Sequence, residues 1–256
     1  MSPRWTTRLE ATIGPSGQVV TLRSRLPWRR GRPLWQAEYP APTSRDGAPA
    51  ALHEALAAAR ASVDELGAPW PTSLLLEIDD AWVQHACLRG AFDAMGHRAI
   101  AESVRGFFAQ ALGAPAGTLA LCSLPQPDGR SLWVSCLPVA LCTGLAESAM
   151  AHGLALTSLR PAAQGYLGDR RRWPRDGVLA LPHGAGVLLA CRRNGSWVAM
   201  SNELRPFDAA VGERAAALSH FHGTVLADGM RWAATPPGQA PLPGWTPVAT
   251  SRAGRP

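Results

Sequence analysis

The sequence predicts an α/β protein built of two related halves. Three observations carry that expectation. A pattern of strand, glycine turn, strand, basic turn and strand begins at Leu9 and returns at Gly177. Apolar residues between and after these meanders recur at helical spacing. The composition, 46% apolar and 17% charged over 256 residues, is that of a chain able to bury a core without disulfide or metal staples.

Taken in order, residues 10–22 read as an apolar strand, a Gly14-Pro15-Ser16-Gly17 turn and a second strand from Gln18, since Gly, Pro and Ser between two apolar runs mark a tight hairpin. Residues 33–39 supply a third strand after the basic turn at 29–32, and residues 40–49 form a Pro- and Ser-rich loop. Leu52, Leu56, Ala59, Val63 and Leu66 then lie on one face of a helix over 50–66 that Gly67 ends. The apolar run 74–78 is a buried strand, followed by a turn at Asp79 and Asp80 and a strand over 82–88. Ile100, Val104, Phe107, Phe108 and Leu112 give a packed helix over 100–112, closed by Gly113. Strands at 118–124 and 131–137 flank a Pro127-Asp128-Gly129 turn.

A helix over 139–152, interrupted at Gly144, leads to a strand at 154–159. The second meander covers strand, Gly-rich turn and strand from 177 to 189, then a third strand at 196–201. A helix over 206–219 and a strand at 224–227 follow, and the Pro/Gly-rich stretch 236–256 is expected to be loosely ordered. The domain reading is an N-terminal tail at 1–8, a first lobe with crossover segments at 9–160, a reduced second lobe at 161–235 and a tail at 236–256. Two lobes that each open on a three-stranded meander are the layout of the actin-like, ribonuclease H-like duplicated fold.

Composition excludes several classes of function. No apolar run reaches the roughly 18 residues of a spanning helix, and the first residues lack the apolar stretch of a secretory signal, so a cytoplasmic place is expected. The formal charge is +6 and every basic residue is Arg. That charge would permit contact with nucleic acid, but the arginines cluster only at 29–32 and 170–175, without the interleaved aromatics of a strand-binding platform. Nucleic acid is therefore not the favoured partner. Five cysteines without a C-x-x-C pair read as buried reduced thiols. His220 and His222 flank Phe221, yet no acid or thiol stands beside them, so no metal site is expected. No Lys exists to complete a P-loop. Of the ten tryptophans, several, Trp173, Trp232 and Trp245 among them, fall near predicted loops or termini, where such a ring either packs under the loop or docks a partner.

The order and spacing of these elements resemble a known family: the actin-like assembly proteins of type IV pilus and type II secretion systems, PilM-like and GspL cytoplasmic-domain-like. The residues that carry the resemblance are the first hairpin from Thr12 to Val20, the helix from Ala50, and the strand and turn from Ser73 to Val83. They continue through the helix end from Phe107 to Gly113, the run from Trp133 to Pro161 and the second hairpin from Gly177 to Ser201. Together they cover about residues 9–206.

In that fold an ATPase carries an Asp and glycines in the first hairpin, and a second Asp with glycines in the later one. Backbone amides then cradle the phosphates while the carboxylates order Mg²⁺ through water. Here the first turn keeps Gly14 and Gly17 with Thr12 where the acid would stand, and the second keeps Gly184 and Gly186 in Ala180-Leu181-Pro182-His183-Gly184-Ala185-Gly186, again with no acid. Phosphoryl transfer depends on such charges.

The resemblance therefore implies a degenerate member with vestigial phosphate loops, no catalytic residues, no metal and no cofactor. It would be a scaffold peripheral to the inner membrane, reaching the membrane only through a partner. Expected partners are the cytoplasmic segment of an inner-membrane assembly protein, a second copy of the chain, or an assembly ATPase. The candidate contact surface is Arg170, Arg171, Arg172 and Trp173, a linker in the blander reading. Two other readings stand beside it: a nucleotide-binding actin-like ATPase whose acids come from Asp79 or Asp176, which tight magnesium-dependent binding of ATP would reveal, and an Arg-rich nucleic-acid binder, which would show a steep salt dependence.

Overall fold

The structure, a computed structural model, describes residues 7–24, 33–168, 172–184, 186–224, 226–227, 229–234 and 241–248. Among the described residues the chain forms thirteen strands and five α-helices, divided between two compact units. The first draws on residues 7–82 and 138–162, the second on 83–137 and 163–248.

In the first unit, β1 (Thr7–Gly14), β2 (Gly17–Ser24) and β3 (Pro33–Tyr39) form an antiparallel meander. β4 (Ser73–Ile78) runs parallel beside β1 and β8 (Ala155–Pro161) parallel beside β4, which gives the order β3-β2-β1-β4-β8. Alternation along β1 explains its orientation: Leu9, Ala11 and Ile13 are buried while Arg8, Glu10 and Thr12 between them are not. Helix α1 (Ala48–Glu65) buries Leu52, Leu56, Ala59 and Val63. It lies against β2 and against α3 (Val139–Ala151), which in turn covers β8.

The second unit repeats the arrangement. β9 (Gly177–His183), β10 (Gly186–Arg193) and β11 (Ser196–Glu203) are the meander, and β12 (Arg231–Ala234) and β13 (Thr246–Val248) add in parallel, in the order β11-β10-β9-β12-β13. Helix α5 (Val211–Phe221) stands between β11 and β12 in the chain, as α1 stands between β3 and β4. Nearly every residue of β9 and β10 is buried, because the sheet has a core on each face. Leu179, Leu181 and Leu188 share one face with Trp173, Trp197 and Trp232. Val178, Ala180, Val187 and Leu189 share the other with Val211 and Ala215 of α5. This unit also holds a smaller sheet of β5 (Gln84–Arg89), β7 (Ser131–Pro138) and β6 (Leu119–Pro125), covered by α2 (His97–Leu112). A six-residue helix, α4 (Ala162–Leu167), precedes the second meander.

Several sequence expectations need correction. The first helix begins at Ala48, so Pro49 belongs to its first turn, where a missing N–H costs nothing. Leu66, expected on its buried face, is 59% exposed, and so in part are Phe107 and Leu112 of α2. α3 runs unbroken through Gly144. The last helix starts at Val211 rather than near residue 206. Thr224, Leu226 and Ala227 lie in no strand; the strand is β12, a few residues later. The Pro/Gly-rich stretch expected to be loose contributes β13 and the buried Trp245.

Candidate functional site

The candidate sites are the two hairpin turns. In the first, Gly14 pairs with Gly17 across a two-residue tip of Pro15 and Ser16, and Gly17 adopts φ +140°, a conformation that favours glycine. β4 runs parallel to β1 and ends beside this turn. Asp79, the first residue after β4, donates its backbone N–H to the Ile13 carbonyl at 2.9 Å. Its Oδ1 accepts from the Ala81 N–H at 2.9 Å, which holds the turn into the short 3-10 segment Asp80–Trp82.

The side chain of Asp79 thereby comes to rest on Gly14. A methyl group on Gly14 would overlap Asp79 Cβ, and would stand 2.9 Å from Cγ and 3.0 Å from Oδ2. The space the glycine leaves open is occupied by the Asp79 side chain, its β-carbon nearest. An acid named in the ATPase alternative therefore stands beside this turn.

Behind the turn, Thr12 stands level with Glu77 of β4, and Glu77 level with Arg160 of β8. Arg160 Nη2 lies 3.4 Å from Glu77 Oε2. The Glu77 carboxylate at this position is thus ion-paired to a guanidinium of the same sheet. Farther along the face, Glu10 bridges to Arg23 at 2.7 Å.

The second turn is built differently. Gly186 is registered with His183, and a methyl group on it would overlap the Glu203 carbonyl and stand 2.8 Å from His183 Cε1. Close packing against β11 and the imidazole therefore requires this glycine. Gly184 has φ +40°. His183 is 5% exposed and, among the described residues, neither ring nitrogen has a hydrogen-bond partner. Asp176, named in the ATPase alternative, precedes β9 and accepts the Asn194 N–H at 2.8 Å, so it closes the β10–β11 turn. The seven residues of β9 separate it from Gly184 by about 26 Å along the strand.

Of the segment singled out for partner contact, Arg170 and Arg171 lie outside the described residues. Trp173 is a core residue, 7% exposed. Its Nε1 donates to the Tyr166 carbonyl at 2.8 Å, as Trp197 Nε1 donates to the Leu167 carbonyl at 3.0 Å. Two indoles thus satisfy carbonyls at the end of α4 that no further turn could reach. The Trp173 ring lies edge-on to Trp197 and tilted on Trp232. Its polar handle and both ring neighbours lie within this core. Arg172 lies over the rings of Tyr166 and Trp173.

His220 is in the last turn of α5 and His222 caps that helix, so the pair is not on a strand. Among the described residues, no group of three or more His, Cys, Asp or Glu could hold a metal. Burial pushes the Cys87 thiol up to about 12 and raises those of Cys122, Cys142 and Cys191, which makes poor nucleophiles of them. Among the described residues, no helix is long and apolar enough to cross a membrane. The contact of Asp79 with Gly14 was invisible to sequence reading. The signal that could have revealed it is the order of the strands, since acids after β4 fall beside the end of β1 once those two strands are parallel neighbours.

No protein-family model and no curated protein matches the sequence. Solved structures do match. The cytoplasmic domain of EpsL, an inner-membrane component of the type II secretion system of Vibrio cholerae, superposes with TM-score 0.54 at 12% identity, covering 96% of this chain and 92% of that one. The chain superposes on a structure of the PilM–PilN type IV pilus biogenesis complex with TM-score 0.57 at 14% identity, over 86% of this chain and 71% of that one. A Bacteroides thetaiotaomicron protein of unknown function with an actin-like ATPase fold gives TM-score 0.57 at 8% identity, over 91% and 84%. The fold is actin-like. In actin-like terms the two five-stranded sheets are the duplicated ribonuclease H-like cores, and the Gly14 and Gly186 turns occupy corresponding hairpins, one closed by Asp79 and the other packed on β11.

Proposed function

We propose that this chain is a non-catalytic scaffold of a pilus or secretion machine, holding the cytoplasmic segment of an inner-membrane partner from the cytoplasmic side. The observation that carries the reading is the absence of an acid from both hairpin turns, with the Asp79 side chain filling the space beside Gly14. An actin-like ATPase needs that turn open to phosphate and an acid on each hairpin to order magnesium. Here Thr12 and the Leu181-Pro182-His183 run supply no acid, and the acid nearest the first turn, Asp79, fills the space beside Gly14. Binding without turnover is what such a body can still do. The likeness to the EpsL cytoplasmic domain and to PilM in its complex with PilN supports the kind of machine. A second copy of the chain and an assembly ATPase are the further partners of this reading.

Titration of the full chain with Mg-ATP in a calorimeter tests the catalytic half of the proposal: no heat and no released phosphate are expected, and tight magnesium-dependent binding overturns it. The partner half is tested with synthetic peptides of the cytoplasmic segments of single-span inner-membrane proteins from the same genome. Saturable binding supports the scaffold, and its absence removes it.

A further inference from the structure

A groove of about 670 Å³ runs between the end of β11 and helix α5 in the second unit, beside the second hairpin turn, where Glu203 of its lining packs on Gly186. Its apolar lining includes Leu204, Leu218 and Phe221. Leu204 is 82% and Phe221 85% exposed, the two most exposed large apolar side chains among the described residues. Two such residues in one groove leave apolar surface that water covers poorly, the usual mark of a surface that meets something else.

The charges of the groove decide what that is. Arg214 is internally compensated: it lies 3.2 Å from Glu203 Oε2 and 3.6 Å from Asp208 Oδ1, and donates to the Pro206 carbonyl at 2.9 Å. Arg205, in the same lining, is exposed and forms no ion pair with any described residue. One uncompensated guanidinium beside an apolar floor complements a carboxylate beside apolar side chains. An anionic membrane fits poorly, because it would press Glu203 and Asp208 against its own charge for the sake of one arginine.

We infer that the groove between β11 and α5 binds a short amphipathic peptide segment of a protein partner, its apolar side chains on Leu204, Leu218 and Phe221 and an acidic side chain on Arg205. The inference rests on the scaffold reading for the kind of partner and adds the surface. The full chain is panned against a phage-displayed random peptide library, and the recovered peptides are synthesised with a fluorophore for anisotropy. Peptides that place Asp or Glu next to Leu, Phe or Trp, and that bind Arg205→Glu and Phe221→Ser chains about tenfold or more weakly, establish the site. Both positions are exposed, so unchanged melting curves show that the variants are folded. Failure to recover peptides, peptides without acidic enrichment, binding that neither variant weakens, or self-association of the chain that Phe221→Ser abolishes would each overturn it. Those outcomes leave the scaffold reading standing, since its own peptide titration is a separate measurement.

Discussion

The Asp79 side chain fills the space in which a β-carbon on Gly14 would stand, and the Asp79 backbone N–H is bonded to the Ile13 carbonyl one residue before. The two residues are fixed from both sides, so neither can give way cheaply. Gly14→Ala is expected to destabilise the chain by about 1 to 3 kcal/mol, the usual cost of forcing a methyl into a filled site. Asp79→Ala should cost about 1 kcal/mol through loss of the hydrogen bond to Ala81. In a Gly14→Ala/Asp79→Gly double variant the struck Asp79 Cβ is gone, and urea unfolding should show the costs of the two single changes failing to add. Strict additivity would mean that the side chain does not sit on the glycine.

His152 predicts a pH dependence. It is 8% exposed at the end of α3, its Nε2 lies 3.2 Å from His53 Nδ1, and its carbonyl accepts the Trp70 indole. Burial first, then the charges of His53 and Arg60, holds its pKa below the ordinary 6.5. The unfolded chain therefore takes up this proton at higher pH than the folded one, and stability falls as pH drops through the range below 6.5. His222, lowered by burial and by Arg89, acts in the same direction. The thermal midpoint should fall between about pH 7.5 and pH 5.5, and His152→Asn should reduce the fall. An equal fall in that variant would assign the effect elsewhere.

Trp173 separates a core role from a docking role. Trp173→Ala should cost about 3 to 5 kcal/mol, as for large aromatic truncations in a core. Trp173→Phe, which keeps most of the ring but leaves the Tyr166 carbonyl without its donor, should cost about 1 to 3 kcal/mol. A docking ring would lose partner affinity and leave the melting temperature unchanged.

How much of this could be read from the residues depended on how local each signal was. The hairpin from Thr7 to Ser24 was legible because its turn residues and alternation lie within a few positions of each other. The repeat of the meander at Gly177 was legible for the same reason, and with it the fold class. β12 was misplaced because its four residues, Arg231 to Ala234, carry no alternation, and its pairing with β9 decides its position. Leu66, Phe107 and Leu112 fit a helical stripe by spacing, but the neighbouring elements cover only part of it. At the candidate site, the glycines and the missing acids could be read directly. The seat of Asp79 and the groove at Leu204 and Phe221 could not, since both arise from residues that only the folded chain brings together.

Gly144 shows the same rule from the side of stability. Helix propensity marks it as an interruption, worth about 1 kcal/mol against Ala, yet α3 passes through it without a break. The reason lies in α1: a methyl on Gly144 would come 2.9 Å from Pro49 Cγ, and Ser148, one turn on, donates from Oγ to the Pro49 carbonyl at 2.7 Å. The glycine lets the two helices approach closely enough for that bond. Gly144→Ala would gain about 1 kcal/mol of propensity and lose about 1 to 3 kcal/mol to overpacking, so the net change should be destabilising. Gly144→Leu should be worse. Adding Pro49→Ala removes the atom that is struck, while Pro in a first helical turn contributes little by hydrogen bonding, and the pair should then recover most of the loss in urea unfolding. A stabilising Gly144→Ala would show that propensity rules at this position and that the helices stand farther apart.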